Sequence, residues 1–384
     1  MNKNNILLEV KNLTASFEIP DKKTIIPVNN ISFTISKNET VGFVGESGSG
    51  KSSLAYCITQ LLAKNAKIIG GSIKFDNQEL INLKLSELQK IRGAKIAIIP
   101  QNPMSSFDPI YTIEKQMNEM FMNHLKTKID SKKSELFQKI KELEKTKEIK
   151  SLDEQKKISL EILALKKEAK NYTYNQSIQL LKLVGINDAE KRIKQYPSEL
   201  SGGMLQRVMI AMNLICEPSL LIADEPTTAL DVTVQMQIIT LLKTLQSKMH
   251  MGIMIITHDL GIIANMCDTV HVMYAGSIVE SGSTEDIFQN PKHEYTKKLM
   301  LSTPKFDTEK LESISGYPPA LSQLNIGCAF AERCEKCMEI CLKQTPFIFQ
   351  IENNHYSTCF KYLYEKYKNN HDELKKILNL NGIK

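Results

Sequence analysis

The chain has 384 residues and a formal net charge of +6, with no run of 18 or more apolar residues. This length accommodates a large core and more than one domain, and the missing apolar run predicts no membrane-spanning helix. The positive charge invites a nucleic-acid reading, but residues 125–170 hold 14 Lys against 9 acidic residues, which confines a net of +5 to one segment and leaves +1 elsewhere. No nucleic-acid partner is therefore expected. The polar start Met1-Asn2-Lys3-Asn4-Asn5 lacks the apolar core of a signal peptide, so a cytosolic chain is expected.

Residues 6–18 and 25–43 read as β segments, and Pro20-Asp21-Lys22-Lys23 marks a turn between them. Small antiparallel strands thus open the chain. Phe17 lies among them, where an aromatic ring could either stack on a purine base or pack as a half-buried strand residue.

The apolar run Thr40–Val44 leads into Gly45-Glu46-Ser47-Gly48-Ser49-Gly50-Lys51-Ser52-Ser53, a G-x-x-x-x-G-K-S phosphate-binding loop. The glycines let successive backbone N–H groups turn into one concavity that suits an anion. A helix beginning at Gly50 or Lys51 adds its positive end. Lys51 supplies a full charge for the β- and γ-phosphates, and the Ser52 hydroxyl is placed to hold Mg²⁺. The apolar residues after Ser53 read as that helix.

Downstream, Gly70–Asp76 is a turn and strand, and Lys95–Pro100 is a buried strand ending at Gln101, which can reach a metal or water near the phosphates. Residues 113–185 are mostly helical by period. Within them, Leu136, Phe137, Ile140 and Leu143, then Leu152, Ile158, Ile162, Leu165 and Ala169, fit a charged helical hairpin at about 125–170. Ser151-Leu152-Asp153-Glu154 is a capping box for its second helix. A solvated helix pair explains its charge; a basic arm for lipid head groups or a partner is the alternative.

Tyr196 to Arg207 places Ser201, Gly202, Gly203 and Gln206 at a second helix start, again an anion-binding geometry. Leu220–Ala223 is a strand that delivers Asp224, suited to the Mg²⁺ shell, and Glu225, suited to take a proton from an attacking water. Ala229-Leu230-Asp231 follows, and the strand Ile253–Thr257 delivers His258. Strands 271–274 and 277–280 flank Ala275-Gly276. Strands alternating with helices, each ending in a polar residue, predict a parallel α/β sheet with a site at its C-terminal edge.

In this order, Gly45–Ser53, Gln101, Leu200–Gly203, Leu221–Glu225, Ala229–Asp231 and His258 resemble the Walker A, Q-loop, signature, Walker B, D-loop and switch histidine of an ABC-type ATPase. The resemblance implies a P-loop NTPase fold with a mainly parallel sheet, an antiparallel β subdomain and a helical subdomain. It also implies a head-to-tail dimer, in which Ser201, Gly202, Gly203 and Gln206 act on ATP held by the partner's P-loop and Asp231 sits in the D-loop. His258 would contact the γ-phosphate, Glu225 would activate water, and Mg²⁺ would be held through Ser52, Gln101 and Asp224. Phe17 gains weight as the ring that stacks on adenine.

Further stretches are similar to the oligopeptide/dipeptide/nickel importer ATPases: Pro103–Pro109, Ala223–Gln235, Asn290–Thr296, Gly316–Pro319, Gly327–Phe330 and Arg333-Cys334. The similarity leaves out the hairpin and the residues after Tyr364. It implies an ATPase that energises import of oligopeptides, or of dipeptides, nickel or another small solute. Its partners would be a homologous second ATPase, two transmembrane permeases and an extracellular peptide-binding lipoprotein. Its place would be the cytoplasmic face of the cell membrane. The expected layout is an ATPase domain over 1–284 with its helical subdomain at about 103–215, a cysteine-containing C-terminal region over 285–364 and a polar helical tail over 365–384. A soluble ABC ATPase acting on DNA ends also carries a coil between P-loop and signature, but such coils are far longer, and the hairpin here has no Cys for a zinc hook.

Of eight cysteines, Cys57, Cys216 and Cys267 read as small core residues. The other five follow C-x5-C-x2-C-x3-C-x17-C, and in a cytosolic chain this suggests a metal before disulfides. Spacing alone leaves a [4Fe–4S] cluster, Zn²⁺ and free thiols open. The resemblance favours the cluster, on Cys328, Cys334, Cys341 and Cys359, with Cys337 as an extra thiol. Its distance along the chain from the hydrolytic residues makes a structural role the expectation.

Overall fold

The computed structural model describes residues 5–19, 24–124, 139, 142–145, 152–228, 230–302, 314–321, 326–352 and 354–383. The turn at 20–23, Ala229 of the expected D-loop, Ser151 of the capping box, and Leu136, Phe137 and Ile140 of the hairpin lie outside them. The chain divides into two compact units, one of Met1–Leu83 with Gly252–Lys384 and one of Lys84–Met251.

The first unit opens with β1 (Ile6–Phe17), β2 (Ile25–Ser36), β3 (Thr40–Val44), α1 (Lys51–Ile58), β4 (Ala66–Phe75) and β5 (Gln78–Glu79). Strands β2, β1, β4 and β5, in that order, make an antiparallel sheet. Alternation along β1 buries Leu8, Val10, Leu13 and Ala15. The register slips between Val10 and Leu13. There Asn12 has a φ of 47° and its N–H donates to Ser32 Oγ at 2.8 Å. Such a bulge bends the strand without losing its inward face.

The second unit holds α2 (Leu85–Ile91), β6 (Ile96–Ile99), α3 (Ile113–His124), α4 (Leu152–Leu183), α5 (Gly202–Asn213), β7 (Leu220–Asp224) and α6 (Val232–Met249). β6 and β7 pair in parallel, and every residue of β7 is buried. A strand covered on both faces reads as a continuous apolar run rather than an alternation. The second arm of the expected hairpin is the N-terminal part of the 32-residue α4. Its Ile162 and Ala169 are buried, and Leu143 packs against them with Ile158 and Leu165. The pairs Lys166–Glu144 at 2.6 Å and Lys139–Glu161 at 3.2 Å lie on the exposed side. These contacts are those of a solvated helix pair.

The chain then returns to the first unit with β8 (Gly252–Thr257), α7 (Leu260–Met266), β9 (Thr269–Tyr274), β10 (Ser277–Ser283), α8 (Thr284–Gln289), α9 (Glu294–Leu301), α10 (Glu339–Lys343), β11 (Phe349–Glu352), β12 (His355–Ser357), α11 (Phe360–Lys366) and α12 (His371–Leu380). β3 lies between β8 and β9, parallel to both. β10 is antiparallel to β9 and β12, and β11 to β12. A Cβ on Gly42 would stand 2.7 Å from Cys267 Sγ and from Ile263 Cδ1, so this glycine lets α7 lie flush on β3. The C-terminal region thus extends the sheet edge through β12 and β11. A buried pair at the seam, His355 Nε2 to Glu280 Oε1 at 2.8 Å, ties β12 to β10. The polar tail is also anchored, because Leu374 and Ile383 are buried in a cluster with Phe360 and Leu363.

His271 on β9 is buried between the rings of Phe33 and Phe43, with centroids 5.5 and 4.9 Å away. Neither ring nitrogen has a hydrogen-bond partner among the described residues. Burial pushes its pKa from 6.5 down to about 4, so the native imidazole stays neutral where the unfolded one takes a proton. The unfolded state binds more protons between these values, so this contribution is full above pH 6.5 and is lost as pH falls toward 4. Linkage puts the loss near 2 kcal/mol at pH 5 relative to pH 7.5. Urea unfolding of His271→Phe, whose ring suits the same aromatic cluster, is expected to show a flatter pH profile over this range.

Candidate functional site

In the first unit, the wholly buried β3 runs into the loop at Gly45, and α1 begins at Lys51 with Gly50 as its N-cap at φ 99°. Two close approaches fix the loop. A Cβ on Gly45 would stand 2.1 Å from the Met273 carbonyl oxygen, and one on Gly50 would stand 1.9 Å from that of Pro27. The Ser49 carbonyl accepts the Gly276 N–H at 3.0 Å. The loop is therefore pressed on backbone from two sides, with Ser47 and Gly48 exposed at its crest. Lys51 is 5% exposed. Its ammonium donates to the carbonyls of Gly45 at 2.8 Å and Glu46 at 2.9 Å, and to Ser49 Oγ at 3.2 Å. A buried ammonium gathered by these oxygens stands directly behind the loop, where its charge suits an anion. Ser52 and Ser53 follow in the first turn, half-buried.

Glu46 is held from below. Its N–H donates to the Tyr295 hydroxyl at 2.9 Å, and its carboxylate accepts both terminal nitrogens of Arg333 at 2.6 and 2.9 Å. The carboxylate and the Tyr274 hydroxyl hold the Arg333 guanidinium well above its usual pKa, against the opposing effect of burial. The same unit places His258 at the end of β8, exposed, just before Asp259, whose carboxylate caps α7 by accepting the N–H groups of Gly261 and Ile262. Phe17 closes β1, half-buried and paired with Ile25 and Ala66.

In the second unit, Gln101 follows β6 and Asp224 ends β7, where it is 1% exposed. Glu225 comes next with a φ of 47°, a left-handed position that costs a non-glycine residue free energy and often marks a functional turn. Its Oε2 accepts from Gln101 Nε2 at 2.9 Å and from Thr228 Oγ1 at 2.8 Å. Ser201 caps α5, its Oγ accepting the Met204 N–H at 3.3 Å, so Gly202 and Gly203 form the helix's first turn rather than preceding it. A Cβ on Gly203 would stand 2.9 Å from Val234 Cγ1. Ser201 and Gly202 are exposed; Gln206, by contrast, is 2% exposed and turned inward. Asp231 caps α6 by accepting the Val234 N–H at 2.9 Å.

The thiols of Cys328, Cys334, Cys341 and Cys359 line one small cavity with Phe330 and Phe360. Cys337 is not among the lining residues and turns toward the Met338 carbonyl at 3.6 Å. The Cys328 N–H donates to the Cys341 carbonyl at 2.7 Å, and Gly327 has no room for a Cβ against that same oxygen. Burial pushes the Cys328 thiol up to about 12 and Cys334 to about 11, with neighbouring thiols adding to the shift; Cys341 and Cys359 also rise through burial. Thiolates here repel one another and lack water, so a thiophilic cationic group would offset a real cost. Among the described residues no three His, Cys, Asp or Glu side chains stand close enough for a single metal ion. A tetrahedral zinc at about 2.3 Å from each sulfur requires such convergence.

Comparison with known proteins bears on these arrangements. The family profile described as ABC transporter matches residues 28–228, and that described as Oligopeptide/dipeptide transporter, C-terminal region, matches 279–341. The oligopeptide transport ATP-binding protein OppD of Salmonella typhimurium is 41% identical over 359 residues, 93% of this chain and 94% of its own.

The chain belongs to the ABC transporter ATP-binding family, in its oligopeptide/dipeptide branch.

Other members include AppD of Bacillus subtilis, an oligopeptide transport ATP-binding protein 40% identical over 93% of this chain and 97% of its own. The dipeptide transport ATP-binding protein DppD of the same organism is 40% identical over 88% of this chain and 90% of its own. Solved structures support the fold. The dimeric post-hydrolysis state of the ATP-binding cassette MJ0796 aligns with a TM-score of 0.55 at 23% identity, covering 72% of this chain and 99% of that one. The cbiO1 cassette of Clostridium perfringens aligns at 0.53 and 24%, covering 74% and 92%. The P-loop NTPase nucleotide-binding fold expected from the motifs is the fold observed.

Thr228, Tyr274, Tyr295 and Arg333 escape a motif reading. Thr228, Tyr295 and Arg333 stand inside recognised stretches, but their partners Glu225 and Glu46 are not inferable from spacing. Gly50 offers a direct check on the loop. Gly50→Ala combines a left-handed φ with overlap on the Pro27 carbonyl, and is expected to destabilise the chain by about 3 kcal/mol in urea unfolding.

Proposed function

We propose that this chain is the ATP-hydrolysing subunit of an importer for oligopeptides. The observation that carries the reading is Lys51, a cation 5% exposed at the start of α1, behind a loop in which Gly45 and Gly50 admit no side chain. Membership of the family supplies the activity, ATP hydrolysis coupled to transport, and implies membrane permease partners. No helix among the described residues is long and apolar enough to cross a membrane, so substrate passage falls to those partners. Peptide cargo is supported by the names of the relatives and by the match of the C-terminal region.

Each residue's part follows from its position. Lys51, the loop from Gly45 to Gly50 and the start of α1 bind the β- and γ-phosphates. Phe17 stacks on the base, and Ser53 closes the loop. Ser52, Asp224 and Gln101 would hold Mg²⁺, which would supply charge neutralisation for the phosphates. Glu225 takes the proton of the attacking water. The water oxygen bonds to the γ-phosphorus, the bond to the β–γ bridging oxygen breaks, and ADP leaves with that electron pair. Gln101 and Thr228, both donating to Glu225 Oε2, orient the carboxylate. His258 steadies the γ-phosphate. Ser201, Gly202 and Gly203 close on nucleotide held by a second ATPase subunit, and Asp231 sets the start of α6 beside that loop. Gln206, being buried, supports α5 from within rather than touching nucleotide.

The assembly this reading calls for has a homologous second ATPase, two transmembrane permeases and an extracellular peptide-binding lipoprotein, with this chain on the cytoplasmic face of the cell membrane. In the C-terminal region, Cys328, Cys334, Cys341 and Cys359 hold a [4Fe–4S] cluster as a structural group that cross-links the segment. The cavity lined by these four cysteines supports the reading.

Two outcomes test these readings. Glu225→Gln is expected to lower ATP turnover by at least about a hundredfold while fluorescent-ATP binding stays intact, as for loss of a general base; retained turnover removes Glu225 from that role. Anaerobically purified chain is expected to carry iron and acid-labile sulfide in equal amounts. Cys328→Ser should lose both and Cys337→Ser neither, and zinc without sulfide would overturn the cluster.

A further inference from the structure

The guanidinium of Arg333 has all five N–H donors engaged. Nη1 donates to Glu46 Oε2 at 2.6 Å and to Tyr274 Oη at 3.1 Å; Nη2 donates to Glu46 Oε1 at 2.9 Å and to the Ile314 carbonyl at 3.4 Å; Nε donates to the Ser315 carbonyl at 2.9 Å. The Arg333 side chain is 6% exposed. Buried ion pairs of this kind are poor stabilisers, since an apolar pair of similar size often does as well. Their attested use is to select one conformation.

The conformation selected here is that of the phosphate loop. Glu46 is fixed at three points: its carboxylate by Arg333, its N–H by the Tyr295 hydroxyl, and its carbonyl by Lys51 Nζ. The same carbonyl accepts the Ser49 N–H at 3.2 Å, which closes the turn under Ser47 and Gly48. Moving the Glu46 side chain therefore moves the backbone that carries the phosphate-facing amides and the cradle of Lys51. Arg333 stands in a one-turn 3₁₀ segment, Ala331–Arg333, between the pocket cysteines Cys328 and Cys334. Phe330, in the same segment, lies 5.3 Å from the rings of both Tyr274 and Tyr295 and also lines the thiol pocket.

We propose that Arg333 is a positioning residue for nucleotide binding: through Glu46 it sets the phosphate loop, and so makes ATP affinity depend on the 328–334 segment that bears two of the pocket thiols. The inference rests on the ATP reading given above.

The test is titration of the full-length chain with a fluorescent ATP analogue, beside turnover and melting temperature. Arg333→Met and Glu46→Gln are each expected to weaken affinity about tenfold, within the range of ordinary site-to-site coupling. Turnover of Arg333→Met at saturating ATP should stay within about twofold, and Arg333→Lys should recover part of the affinity. The double variant should be no weaker than either single one, because both remove the same bond. Wild-type affinity in the single variants, or a double variant whose loss is the product of the two, overturns the proposal. If Arg333→Met does not fold, Glu46→Gln and Arg333→Lys decide: unchanged affinity in both overturns it. Lys51→Ala separates the two readings, since ATP binding that survives its loss removes the phosphate-loop assignment and not the link through Arg333.

Discussion

The structure depends on the close packing of backbone against backbone at the phosphate loop. Gly45 lies on the Met273 carbonyl and Gly50 on that of Pro27, at distances no side chain survives. Those contacts force β3 between β8 and β9, bring the β9–β10 turn under the loop through the Gly276–Ser49 hydrogen bond, and leave the N-terminus of α1 facing outward. A loop held this way loses little freedom when an anion arrives, so its amides act as a preorganised cradle. Lys51 follows the same logic, its charge buried and met by the carbonyls of Gly45 and Glu46.

Polar burial elsewhere in the first unit serves the same end. Glu280 is wholly buried and accepts from the N–H groups of Lys292 and His293, while His355 Nε2 stands 2.8 Å from its Oε1. That arrangement fixes where the chain leaves β10 and where the C-terminal strands join it. Tyr295, two residues past His293 and in α9, then reaches the Glu46 N–H. His271 shows the opposite strategy: an imidazole kept neutral by aromatic neighbours and given no partner, at the cost of acid sensitivity.

What the sequence made legible was local. The apolar run of β3, the glycines and Lys51 announce strand, loop and helix because all three are set by neighbours in the chain. The cap at Ser201 and the strand end at Asp224 are legible for the same reason. For Gln206 the motif gives order and not orientation; only the structure shows that its side chain is buried. The C-terminal region was expected as a separate extension, yet β11 and β12 join the main sheet of the first unit, since edge pairing is a long-range choice that short strands do not advertise. The Glu46–Arg333 pair was unreadable for that reason too. A charged residue inside a glycine-rich loop and another beside a cysteine look independent until the fold brings them together. Distance along the chain suggested that the cysteine region stands apart, yet the guanidinium of Arg333 reaches Glu46 in the phosphate loop.

That pair joins positions 287 residues apart. Synthesis at about 5–20 residues per second puts roughly 15–60 s between the emergence of Glu46 and that of its partner. During that interval the strand, loop and first helix already exist as chain, but Arg333 and the hydroxyl of Tyr295 do not. The nascent subunit is thus born with an unbraced phosphate loop, and on the proposal above its full affinity for nucleotide arrives only once Arg333 has been made. A chain truncated before Arg333 would carry every motif of an ATPase and still lack the brace under its own catalytic loop.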